Sequence, residues 1–298
     1  MILQSVDIHH ALRFRQKTRA DVVARTELQR QARERQLVAH IADTRKREAL
    51  GIIGGTSAAF RGAGVSAPPV TTPLTIVSSV AVTMWHRSDL GIITNDTPGF
   101  VNQWQDQTGN GNHFTQATTT MRPAYQATGG PGGKPQLVGD GVDDWMINAW
   151  NPTAPGTTPI WMWAVIRPIT QVASNVWSGN TASTLNFSLL STASSCRVSN
   201  GVVGVTNAQL TLGAVSNVMA LYSNQVTDYL QVRSTAKTSG NVGNNDSTTF
   251  QIFSRNSGSG VSNVAFLEFL LCAGEPNPTE LSNLTTYGSN FWGSGAFT

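Results

Sequence analysis

Cysteine is almost missing from this chain. Cys196 and Cys272 are the only two, they lie far apart, and they match no metal-ligand spacing. That excludes a disulfide-stapled scaffold and a zinc knuckle. One bridge between them stays open, but two buried free thiols are the expectation. Charge is scarce too, at 12 % of residues. No apolar run approaches the ~18–20 residues of a membrane span, so no membrane insertion is expected. Met1–Arg15 lacks the apolar stretch of about 7–15 residues that a signal peptide needs, so synthesis in a cytoplasm is expected.

Glycine, proline and tryptophan are absent from residues 1–50, although the whole chain holds 28, 13 and 8 of them. The same boundary divides the charge. Residues 1–50 carry 11 Lys/Arg against 6 Asp/Glu, and the rest carry 9 against 11. Two segments with different physics are joined here.

The first segment is rich in Ala, Leu, Arg, Gln and Glu, which favour helix. Asp21 and Arg25, like Asp43 and Arg47, are acid-before-base pairs at i, i+4. Residues 1–50 are therefore predicted to be a helical arm, roughly 60 Å long if unbroken. Its apolar positions are too sparse for a core of its own. It is expected to anchor or oligomerise the chain. Six acids dilute its positive charge, so nucleic acid is not the expected partner. Residues 51–73, with five glycines in the first fourteen and then Pro68-Pro69, read as a linker.

From residue 74 onward the chain reads as short strands between Gly/Asn/Ser/Pro turns. "PIWMWAVIRPI" (159–169) is apolar on both parities, the mark of a strand buried on both faces. "NPTELSNLTTYG" (277–288) reads as the one helix of this part. Asn277 is its N-cap, Pro278 its first residue, Glu280 the capping-box acid and Gly288 its stop. The expected class is mainly β: an antiparallel β-sandwich or jelly roll over residues 74–298, behind an N-terminal helical arm.

The motifs "VTMWHRSDL", "FVNQWQDQTGNGNHFTQATTTMRPAYQ", "GKPQLVGDGVDDWM", "WMWAVIRP" and "VAFLEFLLCAGEPNPTELSNLTTYGSNFWG" stand in that order. Together they resemble the laminin-G-like branch of the concanavalin A-like lectin/glucanase superfamily, over about residues 74–293. The closest likeness is to versions in tailed-phage virion proteins. The resemblance implies a concanavalin A-like jelly roll. It leaves function open, because the fold hosts lectins, hydrolases and structural modules.

The superfamily's glucanases carry paired carboxylates, about 5 Å apart, as E-x-D-x-E on one strand. Residues 74–298 hold only Glu268, Glu275 and Glu280. Glu268, inside "FLEFLL", has no carboxylate two residues away, so no catalytic residue is assigned and the chain is expected not to be an enzyme. Glu268 is expected to pair with an arginine such as Arg167 or Arg255.

The expected role is a structural protein on the surface of a tailed-phage-like virion. Residues 1–50 would dock to other virion proteins, as a homo-oligomer such as a trimer, and the lectin-like head would decorate the particle or attach to host surface polysaccharide. The alternatives are a stand-alone carbohydrate-binding module or a glycan hydrolase.

For sugar contacts the candidates are Asp106, Asn110, Asn112, His113, Asp143 and Trp145, with Trp150, Trp177 and Tyr229 as further aromatic platforms. Asp140, Asp143 and Asp144 in "GDGVDDW" offer hard oxygens that suit Ca²⁺, the one cofactor considered. The plain alternative for that stretch is a solvated Asp-Gly turn. For "WQDQTGNGNHFTQ" it is a hairpin in which Asn110-Gly111 forms a type I′ turn.

Overall fold

A computed structural model describes residues 71–94, 97–150, 159–170, 173–179, 185–190, 195–200, 204–207, 210–222, 228–242, 249–255, 258 and 260–297. The expected helical arm, and all but the last three residues of the expected linker, lie outside them. Pro69–Thr298 forms one compact unit.

Along the chain, a one-turn helix α1 (Pro73–Ile76) precedes β1 (Val82–Arg87), β2 (Ile92–Ile93), β3 (Gln103–Trp104), β4 (Phe114–Thr115), β5 (Ala124–Gln126), β6 (Gln136–Val138) and β7 (Met146–Asn148). Then come β8 (Ile160–Pro168), β9 (Ser174–Gly179), β10 (Asn186–Leu189), β11 (Cys196–Ser199), β12 (Gly204–Asn207) and β13 (Ser216–Tyr222). They are followed by β14 (Tyr229–Val232), β15 (Thr238–Ser239), β16 (Phe250–Ile252), β17 (Val264–Cys272) and the helix α2 (Pro278–Trp292).

The strands form two antiparallel sheets. One runs β15-β14-β13-β8-β17-β6-β5, with β1 also paired to β17. The other runs β12-β11-β10-β9-β16-β7-β4-β3-β2. Their inner faces meet in one apolar core. Phe269 of the first sheet packs on Phe114, Trp177 and Phe250 of the second, with ring centroids 5.6–6.2 Å apart.

The double parity of β8 has a direct cause. Met162, Ala164 and Ile166 face the inter-sheet core. Trp161, Trp163 and Val165 face outward into a second apolar cluster, closed by Leu284, Tyr287 and Trp292 of α2 and by Ala296 and Phe297. The eight-stranded sheet is therefore buried on both sides, and α2 is its lid.

The central strand β17 carries one irregularity. Phe266 pairs with Ile166 and Glu268 with Val165, so Leu267 is an extra residue. Such a bulge shifts the alternation by one. It turns both Leu267 and Glu268 outward, under α2, and returns Phe269 to the core.

The cap of α2 is as expected. Glu280 N donates to Asn277 Oδ1 at 3.0 Å, and Asn277 N to Glu280 Oε2 at 3.2 Å. The expected stop at Gly288 is not. The helix runs on to Trp292 and ends at Gly293, whose φ of 97° suits glycine. Gly288 is inside the helix because Phe297 folds back onto it. A Cβ there would stand 2.2 Å from Cζ of the Phe297 ring, so the glycine serves a close approach and not a stop. Cys196 and Cys272 are both free and buried, and burial pushes each thiol up to about 12.

Candidate functional site

The stretch Trp104–Gln116 leaves β3 and returns on β4, with Trp104 paired to Phe114. The connection is wider than a type I′ turn. Positive φ falls at Gly109 (86°) and Gly111 (79°), and Asn110 has no positive φ. The type I′ expectation is corrected on that count. The reason is that side chains, and not a tight turn, hold the loop. Asp106 accepts from the amides of Trp85 (3.0 Å), Thr108 (3.0 Å) and Asn112 (3.2 Å), and from Thr108 Oγ1 (2.6 Å). Its own amide donates to His113 Nδ1 at 3.0 Å. Burial raises the Asp106 carboxyl, but the Thr108 and Trp85 bonds outweigh it and hold the group low. Asn110 Nδ2 donates to the Val82 and Thr83 carbonyls, and Asn112 Nδ2 to Thr83 at 2.8 Å. Asp106, Asn110, Asn112 and His113 thus come together as a clamp that ties this loop to β1.

Asp143 and Trp145 lie elsewhere, on the Asp-Gly turn before β7. Carboxylate oxygens of Asp140, Asp143 and Asp144 lie within 4.8 Å of one another. Asp140 Oδ1 accepts the amides of Val142 (2.7 Å) and Asp143 (3.3 Å), and Asp144 Oδ2 accepts that of Asp140 (2.9 Å). Burial, with Asp140 and Asp143 beside it, pushes Asp144 up to about 7. Trp145 is half-buried. Trp177 and Tyr229 are fully buried, and Trp150 packs half-buried on Phe250 at 6.2 Å.

Glu268 has different partners from those expected. Neither Arg167 nor Arg255 bonds it among the described contacts. Trp85 Nε1 donates to Oε1 at 2.7 Å, Tyr287 OH to Oε1 at 2.9 Å and Trp292 Nε1 to Oε2 at 2.6 Å. Arg87 Nη1 in turn donates to Tyr287 OH at 3.1 Å. Burial pushes the carboxyl up to about 7, and these three donors and Arg87 pull it down. The outward bulge explains the change of partner. On the outer face Glu268 meets the lid helix, whereas Arg167 Nη2 bonds Gln136 at 3.0 Å.

One concavity has no forerunner in the sequence motifs. A groove of about 660 Å³ runs between α1 and α2, on the outer side of the lid. Thr71, Thr75 and Ile76 form one wall, and Asn283, Thr286, Tyr287, Asn290 and Phe291 the other. The α2 residues follow i, i+3, i+4, i+7, i+8, a single helical face. Asn283, Thr286 and Asn290 are exposed. The amides of Asn283 and Asn290 make no hydrogen bond among the described residues. Tyr287 and Phe291 stack at 6.0 Å, with an interplanar angle of 18°.

Glu280 sets the spacing of the walls. It accepts the amides of Ser78 (2.7 Å) and Ser79 (2.8 Å) and the hydroxyls of both. Burial raises its carboxyl, but these bonds outweigh it and pull the group down to about 2.

No family model matches this chain. No curated protein matches it either. Solved structures do. A Trypanosoma rangeli sialidase in complex with sialic acid aligns at a TM-score of 0.51 and 15 % identity, over 87 % of this chain and 40 % of that chain. The same sialidase with 2,3-difluoro-KDN aligns at 0.51 and 14 %, with the same coverage of 87 % and 40 %. The binding domain of Paraclostridial Mosquitocidal Protein 1 aligns at 0.49 and 10 %, over 71 % and 55 %. The chain spans about two fifths of the sialidase it matches. At this identity the likeness shows the fold alone, a β-sandwich found in a glycan-hydrolysing protein. It corrects the expectation that the chain is not an enzyme to this extent: the fold is shared with about two fifths of a sialidase chain, which by itself assigns no activity. It carries no link to a virion.

Proposed function

We propose that the Pro69–Thr298 unit is a carbohydrate-recognition β-sandwich of jelly-roll wiring, and that it holds an oligosaccharide in the groove between α1 and α2. The observation that carries this reading is the lining of the groove. Ligand pockets are concave, about 300–1,000 Å³, with a few polar groups among apolar and aromatic ones, and about 660 Å³ falls in that range. Sugars present hydroxyls to amides and C–H faces to rings. Asn283 and Asn290 offer side-chain amides that make no hydrogen bond among the described residues, Thr71 offers a hydroxyl, Thr286 offers a hydroxyl oxygen whose proton goes to the Ser282 carbonyl, and Tyr287, Phe291 and Ile76 offer the apolar surface. The sialidase likeness supports a glycan as the ligand class only through the fold.

The test is a glycan array probed with the full chain, read both for binding and for released sugar. Binding that falls about tenfold in Asn290→Ala, with unchanged unfolding, supports the groove. Binding unaffected by Asn283→Ala, Asn290→Ala and Phe291→Ala together would place the glycan elsewhere, and the Asp106–His113 loop and Asp143/Trp145 turn would be tested next. Released sugar would extend the reading to hydrolysis.

The composition break after Leu50 supports a second element, an arm that brings the sandwich to a larger assembly. Particles or oligomers that form with the full chain and fail without residues 1–50 support it. A chain that stays monomeric and binds no assembly sinks it.

A further inference from the structure

The two aromatic rings that line the groove, Tyr287 and Phe291, are tied to one buried carboxylate. Tyr287 donates its hydroxyl to Glu268 Oε1 at 2.9 Å, and its ring stacks on Phe291 at 6.0 Å. Phe291 meets Trp292 edge-on, with centroids 4.7 Å apart and planes at 79°. Trp292 closes the circuit by donating its indole N–H to Glu268 Oε2 at 2.6 Å. Glu268 itself is fully buried. From the sheet side, Trp85 Nε1 donates to Oε1 at 2.7 Å.

Three donors converge on this group, and they suit its ionised form. An indole N–H can only donate, so neither Trp85 nor Trp292 can take a proton from Glu268. Among the three, only the Tyr287 oxygen both donates and accepts. That oxygen already receives Arg87 Nη1 at 3.1 Å. If Glu268 is protonated toward it, the Tyr287 hydrogen must turn away and the bond that anchors the ring reverses. The charged groups around the circuit are these. Arg87 stands opposite Glu268 across the β1–β17 ladder and is itself gripped by Asp89. Lys134 lies over Phe291 from the loop before β6. Glu280, the other acid of α2, is engaged by Ser78 and Ser79 at the start of the helix. From β8 the neighbours are Trp163 and Val165, which carry no charge. Burial and the Glu268 charge hold the Tyr287 hydroxyl protonated well above its usual range. Burial also pushes Glu268 up to about 7, so its charge changes near neutrality.

We infer that Glu268 is the positioning residue of the groove: ionised, it fixes Tyr287 and Phe291 as one ring face for a ligand, and protonated, it releases Tyr287. The ligand in this inference rests on the carbohydrate reading of the groove; the positioning rests on the hydrogen-bond circuit. Apparent affinity then follows the fraction of chains whose carboxylate is ionised. The extra residue at Leu267 is what delivers the carboxylate to this side of the sheet. The buried charge that costs the fold stability is the one that orders the groove.

The test reads the rings and the ligand separately, on the full chain. The chain has four tyrosines, so NMR with carbon-13-labelled tyrosine rings resolves Tyr287, assigned by its loss in Tyr287→Phe. Between pH 6 and pH 8 the Tyr287 signals are expected to shift with a single midpoint, and in Glu268→Gln to stay still. On the glycan array, uncharged glycans should bind up to about tenfold more tightly at pH 8 than at pH 6, because the ionised fraction rises from about a tenth to about nine tenths. Glu268→Gln turns an N–H toward one of the three donors; it should bind as weakly as wild type at pH 6, at both pH values. Asp144, also raised to about 7, is untouched by that substitution and controls for titration elsewhere. Tyr287→Phe keeps the ring and removes the bond, so it should flatten the pH profile of binding as well, and it serves if Glu268→Gln fails to fold. A merely structural acid would change the melting temperature of Glu268→Gln and leave the pH profile of binding as in wild type. Tyr287 signals that do not move with pH, or that move equally in Glu268→Gln, overturn the inference. Binding that keeps its pH dependence in both variants overturns it too. No glycan bound at either pH, with the Tyr287 shift present, overturns the carbohydrate reading and leaves the positioning of the rings by Glu268 standing.

Discussion

Trp292, in the last turn of α2, donates its indole N–H to Oε2 of Glu268 at 2.6 Å, from the lid helix to the middle of the sheet beneath it. A carboxylate with three donors and no solvent is an expensive group to bury and an effective one to pack around.

Its pH dependence has a definite sign. The folded-state pKa of Glu268 is raised from 4.5 to about 7. Its contribution is fully present below 4.5 and is lost as pH rises toward 7. Urea denaturation of wild type and Glu268→Gln at pH 4.5 and 7.5 should show wild type losing ground to the variant at the higher pH. A difference that does not move with pH would mean the carboxyl titrates as it does in the unfolded chain.

His86 has the opposite slope. Its ring packs between Trp104 (5.2 Å) and Phe114 (4.8 Å), and neither nitrogen makes a well-formed hydrogen bond among the described residues, with Asp106 and the Asn112 backbone offsetting burial only in part. Burial lowers it to about 3. Its contribution is present above 6.5 and is lost as pH falls toward 3. His86→Leu should unfold less readily than wild type at pH 4 and show a flatter pH profile between 6.5 and 4. Equal profiles would show that His86 gains a proton without cost.

Gly288→Ala sets two effects against each other. In an open helix the change would stabilise by about 1 kcal/mol. Here the new Cβ would meet the Phe297 ring at 2.2 Å. Overpacking costs about 1–3 kcal/mol, so a net loss of stability is expected. In a Phe297→Ala background the same change should be neutral or stabilising. Thermal melts of the four proteins decide it, and a stable single variant would show that Phe297 moves aside freely.

Glu280→Gln tests how the groove is built. The carboxylate joins the loop after α1 to the start of α2 through Ser78 and Ser79. Its folded pKa is lowered from 4.5 to about 2, so its contribution is present above 4.5 and is lost as pH falls. The variant should bind glycan more weakly and lose the acid-side fall in stability. Unchanged binding would show that α1 holds its place by other contacts.

Much of the architecture was legible in the chain itself. The capping box Asn277–Glu280, the turns at glycines, and the double parity of 159–169 are local patterns, set by rotamers, φ limits and alternation. Gly288 misled the reading because a helix stop and a close approach by a distant ring look the same in sequence. Only Phe297 folding back tells them apart. Glu268 misled it for a related reason: alternation along β17 would place it with Phe266 and Ile166 in the inter-sheet core. The one-residue bulge at Leu267 is set by pairing with β8, and it moves the carboxylate to the lid.

The sequence by itself determined a strand-rich unit, the capped helix and the absence of a paired-carboxylate strand motif, because each depends on neighbours within a few positions. The tertiary structure alone decided where the chemistry collects. The groove joins Thr71–Ile76 to residues about 210 positions later. No local pattern encodes such a meeting; packing α2 over the eight-stranded sheet creates it.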